Sequence, residues 1–278
     1  MPIICSLSYW HICTLKMTIL DKIIESKKVE VASRKLSTPV SALEKAPAFS
    51  RKCLSMKQSL LNSQSGIISE FKRKSPSLGW IHEDADVVDV TAGYSAAGAS
   101  GISILTDEEY FGGTTMDLMA ARPFIACPVL RKDFVIDEYQ LCEAKAIGAD
   151  VVLLIAAALT VEETLKLAQK AHELGMEVLL EVHNAEELGH ANDYVDMLGV
   201  NNRNLKTFEQ SIQTSFDLAA LIPDKFVKVS ESGISKVETV RELRKVGYKG
   251  FLMGENFMKE ENPAEALKKF IEKLAPNP

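Results

Sequence analysis

From Gly66 to the C-terminus, short β-rich runs alternate with helical stretches eight times over, and few folds can absorb that pattern. The β-rich runs are Ile67 to Lys72, Gly101 to Thr106, Pro128 to Lys132, Asp150 to Ile155, Glu177 to Val182, Met197 to Asn201, Phe226 to Ser230 and Gly250 to Met253. Each has the length of an ordinary strand. The stretches after them carry helical periodicity: Ala85 to Ala97, Thr115 to Ala121, Asp137 to Ile147, Val161 to Leu174, Ala185 to Ala191, Ile212 to Leu221, Lys236 to Val246 and Pro263 to Leu274. Gly98, Gly148, Gly175 and Gly247 stand where helices would end, in places that suit a left-handed cap. Eight βα units imply an α/β fold with a closed parallel sheet, a (β/α)8 barrel of the TIM type. An open doubly wound sheet would place a glycine-rich turn after its first strand, and here that strand runs into Lys72-Arg73-Lys74-Ser75-Pro76.

Length agrees with this reading. The chain has 278 residues, and barrels of about 250 residues form one domain. Before the first strand, Thr18 to Lys35 reads as an amphipathic helix and Ser55 to Asn62 as a second helical patch. Residues 17 to 65 are too few for a core of their own and are expected to pack onto the barrel, so that 17–278 is a single domain. Residues 1–16 are apolar and aromatic but lack the basic start of a secretory signal; they read as a poorly ordered upstream extension.

Composition narrows the function classes. The formal charge of -6, with 32 basic and 38 acidic residues spread along the chain, disfavours a nucleic-acid partner. The longest apolar run, Val151 to Leu159, is half of what a membrane span needs and reads as a buried strand. Five cysteines without a C-x-x-C spacing suggest neither a disulfide framework nor a zinc site, and fit a reducing cytoplasm.

In such a barrel the reactive groups project from the C-terminal ends of the strands. Glu70 and Lys72, two apart, share a face of the first strand; Lys132 ends the third, Glu181 lies near the end of the fifth, and Asn201 and Arg203 follow the sixth. Singly, each is more readily a solvated strand end. Together, two lysines and two glutamates in one pocket can hold acid and base forms near neutrality. The seventh and eighth strands end instead in Ser230-Glu231-Ser232-Gly233 and Gly254-Glu255-Asn256, where loops and helix starts commonly bind phosphate through backbone N–H groups.

These residues resemble one family. Glu70-Phe71-Lys72-Arg73-Lys74-Ser75-Pro76-Ser77 looks like the first-strand signature of indole-3-glycerol-phosphate synthases, enzymes of tryptophan biosynthesis. The similarity continues through Leu105 to Glu108, Leu130 to Phe134, Leu179 to Val182, Gly199 to Leu205, Ser230 to Ile234 and Leu252 to Gly254. The resemblance implies a carboxy-lyase that closes, decarboxylates and dehydrates 1-(2-carboxyphenylamino)-1-deoxyribulose 5-phosphate, with no metal or organic cofactor. By the same resemblance Lys132 is the general acid, Glu181 the base and charge stabiliser, and Lys72 the partner of the substrate carboxylate and leaving hydroxyl. Glu70 orients Lys72. Asn201, Arg203 and Ser232 position the substrate, while Ser75, Gly233, Gly254 and Glu255 take the phosphate. Glu255 stands where relatives carry serine, so only its backbone is expected to serve. A monomer acting on a small sugar phosphate is expected. The rivals are a Schiff-base aldolase using Lys132 or Lys228, and a barrel that binds a sugar phosphate without catalysis. His183, two residues beyond Glu181, reads as a hydrogen-bonded structural histidine.

Overall fold

A computed structural model describes residues 17–205 and 207–275. Residues 1–16, read from sequence as an extension, lie outside the described residues. The barrel strands are β1 (Ile67–Phe71), β2 (Gly101–Leu105), β3 (Val129–Lys132), β4 (Val151–Ile155), β5 (Glu177–Val182), β6 (Met197–Asn201), β7 (Val227–Glu231) and β8 (Gly250–Met253). Every neighbouring pair is parallel, and β1 pairs with β8 to close the cylinder.

The alternation of side chains along each strand splits the apolar residues into two layers. Ile68, Leu130, Leu153, Leu179, Met197, Val229 and Leu252 fill the interior of the barrel. Ile67, Phe71, Ile102, Val152, Leu180, Val200 and Phe251 face outward into the layer that packs against the helices. The strands are buried on both faces, which is why they read as near-continuous apolar runs.

The helices agree with the sequence pattern at their caps. Thr114 and Thr160 close capping boxes with Asp117 and Glu163, and Asp137 caps the helix Glu138–Ile147. Gly98, Gly148, Gly175 and Gly247 all take left-handed backbone after their helices. One expectation fails: Ala185 to Ala191 forms no α-helix, only a 3-10 turn over Glu186–His190. The sequence expectation also lacks the two-stranded hairpin Lys74–Ser75 with Gly79–Trp80, which stands on the β1 loop. Among the described residues no helix is long and apolar enough to cross a membrane.

The segment before the barrel holds it at both ends. Helix α1 (Ile19–Ser37) starts at a Thr18–Asp21 capping box and sends the fully buried Lys27 to Asp107 and Asp133 at 2.9 and 3.0 Å. Helix α2 (Met56–Asn62) plugs the opposite, N-terminal mouth, where Met56 and Leu60 join the interior layer. Met56 sits against Gly101 and Leu60 against Gly250, in space that a Cβ on either glycine would occupy. Arg51 pairs with Asp150 at 2.6 Å beside the same mouth.

Candidate active site

At the C-terminal mouth a cavity of about 420 Å³ opens, floored by strand ends and roofed in part by Ile19, Leu20 and Ile23 of α1. The residues that the resemblance assigns to the site all line it: Glu70, Lys72, Ser75, Lys132, Glu181, Asn201, Arg203, Ser232, Gly233, Gly254 and Glu255. Strand parity explains the convergence. Glu70 has the parity of interior Ile68, Lys132 that of Leu130, and Glu181 that of Leu179. The flanking charges of β3 go the other way. Arg131 is fully buried outside the barrel, bonded to Asp133 at 2.9 Å and to Glu143 at 2.6 Å.

Lys132 is the centre of the floor. Its Nζ donates to Glu181 Oε2 at 3.1 Å and lies 3.7 Å from a second carboxylate, Glu231. Burial works against the lysine charge, but Glu181, Glu231 and Glu70 outweigh it and hold the ammonium above the ordinary lysine range. Glu181 has the opposite balance. Burial would raise its pKa, yet Lys132, His183 and the amide of Asn201 keep it well below the usual carboxylate range. Asn201 Nδ2 donates to Glu181 Oε1 at 3.0 Å, and the Arg203 backbone N–H fixes the other side of that amide.

Glu231 was absent from the sequence-derived set. The expected seventh strand stops at Ser230, which puts Glu231 in the loop, whereas the strand runs through Glu231 and gives it the interior parity of Val227 and Val229. Burial and the nearby Glu181 push its carboxyl up to about 8, against the opposing pull of Lys132. Two carboxylates therefore share one lysine. One is anionic and the other retains its proton near neutrality.

On the β1 side Lys72 donates to Glu70 at 2.7 Å. The other two cations of the Lys72-Arg73-Lys74 run are spent elsewhere: Arg73 makes a two-pronged bond to Asp117, both contacts at 2.9 Å, and Lys74 lies over the Trp80 ring. Arg203 reaches across the mouth to Ser77 Oγ at 2.7 Å and toward Glu255 at 3.4 Å. Glu255 thus turns its carboxylate to an arginine at the rim.

The remaining wall is built of backbone. Ser232 and Gly233 both take positive φ, 65° and 73°, and Asn202 pins that turn by donating to the carbonyls of Glu231 and Ser232. Gly254 precedes the short helix Glu255–Met258 and leaves room for Glu70, which a Cβ at 254 would crowd. Lys228, the alternative nucleophile, lies outside this cavity and donates to the Ala219 carbonyl at 2.7 Å. Among the described residues no group of three or more His, Cys, Asp or Glu side chains is arranged to hold a metal ion.

The family model for indole-3-glycerol phosphate synthase matches residues 20–270, nearly the whole of the described chain. The chain belongs to the indole-3-glycerol phosphate synthase family. It is 51% identical over 256 residues to an indole-3-glycerol phosphate synthase of Bacteroides thetaiotaomicron, covering 92% of this chain and 98% of that one. It is 44% identical to one from Chromobacterium violaceum, covering 91% and 97%, and 43% identical to one from Dechloromonas aromatica, covering 90% and 97%. Among solved structures it is similar in fold to 3-hexulose-6-phosphate synthase from Salmonella typhimurium, with a TM-score of 0.58, 13% identity and coverage of 76% of this chain and 100% of that one. A protein titled KGPDC from Streptococcus mutans gives a TM-score of 0.57 at 13% identity, covering 75% and 96%. At that identity the likeness carries the fold alone. Indole-3-glycerol phosphate synthase family membership rests on the sequence relatives.

Proposed function

We propose that the chain catalyses the indole-3-glycerol phosphate synthase reaction as a carboxy-lyase of tryptophan biosynthesis. The substrate is 1-(2-carboxyphenylamino)-1-deoxyribulose 5-phosphate, and the products are indole-3-glycerol phosphate, carbon dioxide and water. The observation that carries the reading is Lys132, held as a cation between Glu181 and Glu231 on the floor of a cavity whose rim offers backbone turns to a phosphate.

Ring closure joins the ring carbon that bears the carboxylate to the sugar ketone carbon. The Lys132 ammonium donates a proton to the ketone oxygen as that bond forms. Loss of carbon dioxide restores the electron pair to the ring; the new hydroxyl then takes up a proton and leaves as water, while the adjacent sugar methylene gives up a proton and the electrons of that C–H bond form the ring double bond. Lys72, steadied by Glu70, stands beside the substrate carboxylate and the departing hydroxyl. Glu181 is the base and offsets the positive charge that builds on the anilino nitrogen. Asn201, Arg203 and Ser232 orient the aromatic acid, while Ser75, Gly233, Gly254 and the backbone of Glu255 receive the phosphate. Each step uses protons already carried by the chain and substrate, so the reading calls for no cofactor. The enzyme so described works as a cytoplasmic monomer on a small sugar phosphate.

A Schiff-base route is the less favoured reading, because an amine kept protonated by the Glu181 carboxylate is a poor nucleophile. Supplying the substrate and following indole fluorescence tests the proposal: folded protein that yields no signal overturns it. Borohydride added during turnover should trap no covalent adduct, and a trapped adduct on Lys132 would favour the aldolase reading instead.

A further inference from the structure

One side chain near the site has no part in the chemistry above and does not line the cavity. His183 follows Glu181 by two residues at the end of β5, so both side chains leave on the same side of the strand. Its Nε2 lies 3.3 Å from Glu181 Oε1, and its Nδ1 lies 3.1 Å from Glu187 Oε2. Glu187 is itself fixed. The same Oε2 accepts the His183 backbone N–H at 2.8 Å, Oε1 accepts Asn184 Nδ2 at 2.9 Å, and the Glu187 N–H donates back to Asn184 Oδ1. Both ring nitrogens therefore face carboxylate oxygens. A neutral imidazole has one donor and one acceptor, and either tautomer would set a lone pair against an anion. The imidazolium suits both neighbours, with Nδ1 donating to Glu187 and the ring charge beside Glu181.

We propose that His183 is a positioning residue for Glu181: an imidazolium locked by Glu187, it restrains the Oε1 side of the Glu181 carboxylate and so leaves Oε2 directed at Lys132. The carboxylate then has three fixed neighbours, His183 and Asn201 on Oε1 and Lys132 on Oε2. The approach of Nε2 to Oε1 lies off the line of a hydrogen bond, so its contribution is charge and orientation rather than a directed bond. Further charges complete the surroundings: Glu231 on β7 beside Lys132, and the Glu70–Lys72 pair on β1. Two acidic neighbours raise the imidazole to about 10 against the effect of burial, consistent with a cation across the neutral range. The 3-10 turn that replaced the expected helix over Ala185 to Ala191 is what brings Glu187 back to the strand end.

The proposal rests on the catalytic reading of Glu181, and its test has one arm that does not. In the intact wild-type enzyme, ring ¹⁵N chemical shifts should show His183 protonated on both nitrogens up to about pH 8, well above a free histidine. A neutral ring there overturns the proposal even if no variant folds. In the second arm, His183→Gln keeps size and polarity but removes the charge, and Glu187→Gln weakens the lock on the ring. Both should move the acid limb of the kcat profile to higher pH, by about one unit for His183→Gln and less for Glu187→Gln, with a roughly tenfold loss of kcat and little change in KM. A uniform loss at every pH, with the limb unmoved, would mean a merely structural histidine. Wild-type enzyme without turnover would sink the proposed function while leaving the ring titration to judge His183.

Discussion

Gly199 stands beneath Glu231 on the neighbouring strand, and any Cβ at position 199 would occupy the space of the Glu231 carboxylate. The second acid of the Lys132 cluster is thus admitted by the absence of a side chain one strand away. Gly199→Ala should displace that carboxyl, lower kcat about tenfold or more, and cost on the order of 1–3 kcal/mol by overpacking. Steady-state kinetics and urea unfolding of the same preparation check both halves. Wild-type kinetics in a fully stable variant would show that Glu231 can move without consequence.

Glu231 also gives the site a pH-dependent strain. Its folded pKa of about 8 lies above that of an ordinary glutamate, so the native state holds this proton more tightly than the unfolded chain does. The associated stability is present at acid pH and is lost as pH rises through about 8. Glu231→Gln removes the titration. Relative to wild type, the variant should gain on the order of 2 kcal/mol between mildly acid and alkaline pH, less than the full linkage value because that range starts above the pKa of an ordinary glutamate. Urea midpoints measured across that range report it, and parallel pH curves for the two proteins would contradict the assignment.

How much of this was legible beforehand depends on which physical period carried it. The eight strands and most helices follow from alternation and caps, and the inward set Glu70, Lys132 and Glu181 follows from two-residue parity along strands whose apolar neighbours are unmistakable. Glu231 failed for a related reason: ending the strand at Ser230, one residue early, hides its parity. The 3-10 turn at Glu186–His190 has helical spacing over too few residues to separate it from an α-helix. Lys27 was beyond reach. On an amphipathic helix it reads as a solvated charge paired with Glu30, and it is the partners Asp107 and Asp133, 80 and more residues away, that account for its burial.

Lys27 is accordingly the most sensitive point of the N-terminal segment. Lys27→Met leaves Asp107 buried without its cation and Asp133 with Arg131 alone, and should destabilise the fold by about 3–5 kcal/mol. Asp133 adjoins Lys132, so kcat should fall as well. The double variant Lys27→Met with Asp107→Asn, which removes the unpaired charge and keeps the cap on the Tyr110 N–H, should recover part of the stability, and denaturant unfolding of both decides it. A single variant as stable as wild type would mean that α1 is held by its apolar face alone.

The phosphate wall tests separately from the acid–base floor. Gly233 has φ of 73°, a conformation that costs an alanine roughly 1 kcal/mol or more, and its backbone stands at the rim rather than beside Lys132. Gly233→Ala should therefore raise KM by about tenfold while kcat changes little, the signature of binding lost equally from ground and transition states. Lys132→Ala should do the reverse. Removal of the proton donor should lower kcat by roughly 10² to 10⁴ while substrate still binds, as followed by quenching or calorimetry. If instead Lys132→Ala chiefly raised KM, the ammonium would be a binding cation for the substrate carboxylate, and the acid would have to be Lys72, two strands away after β1.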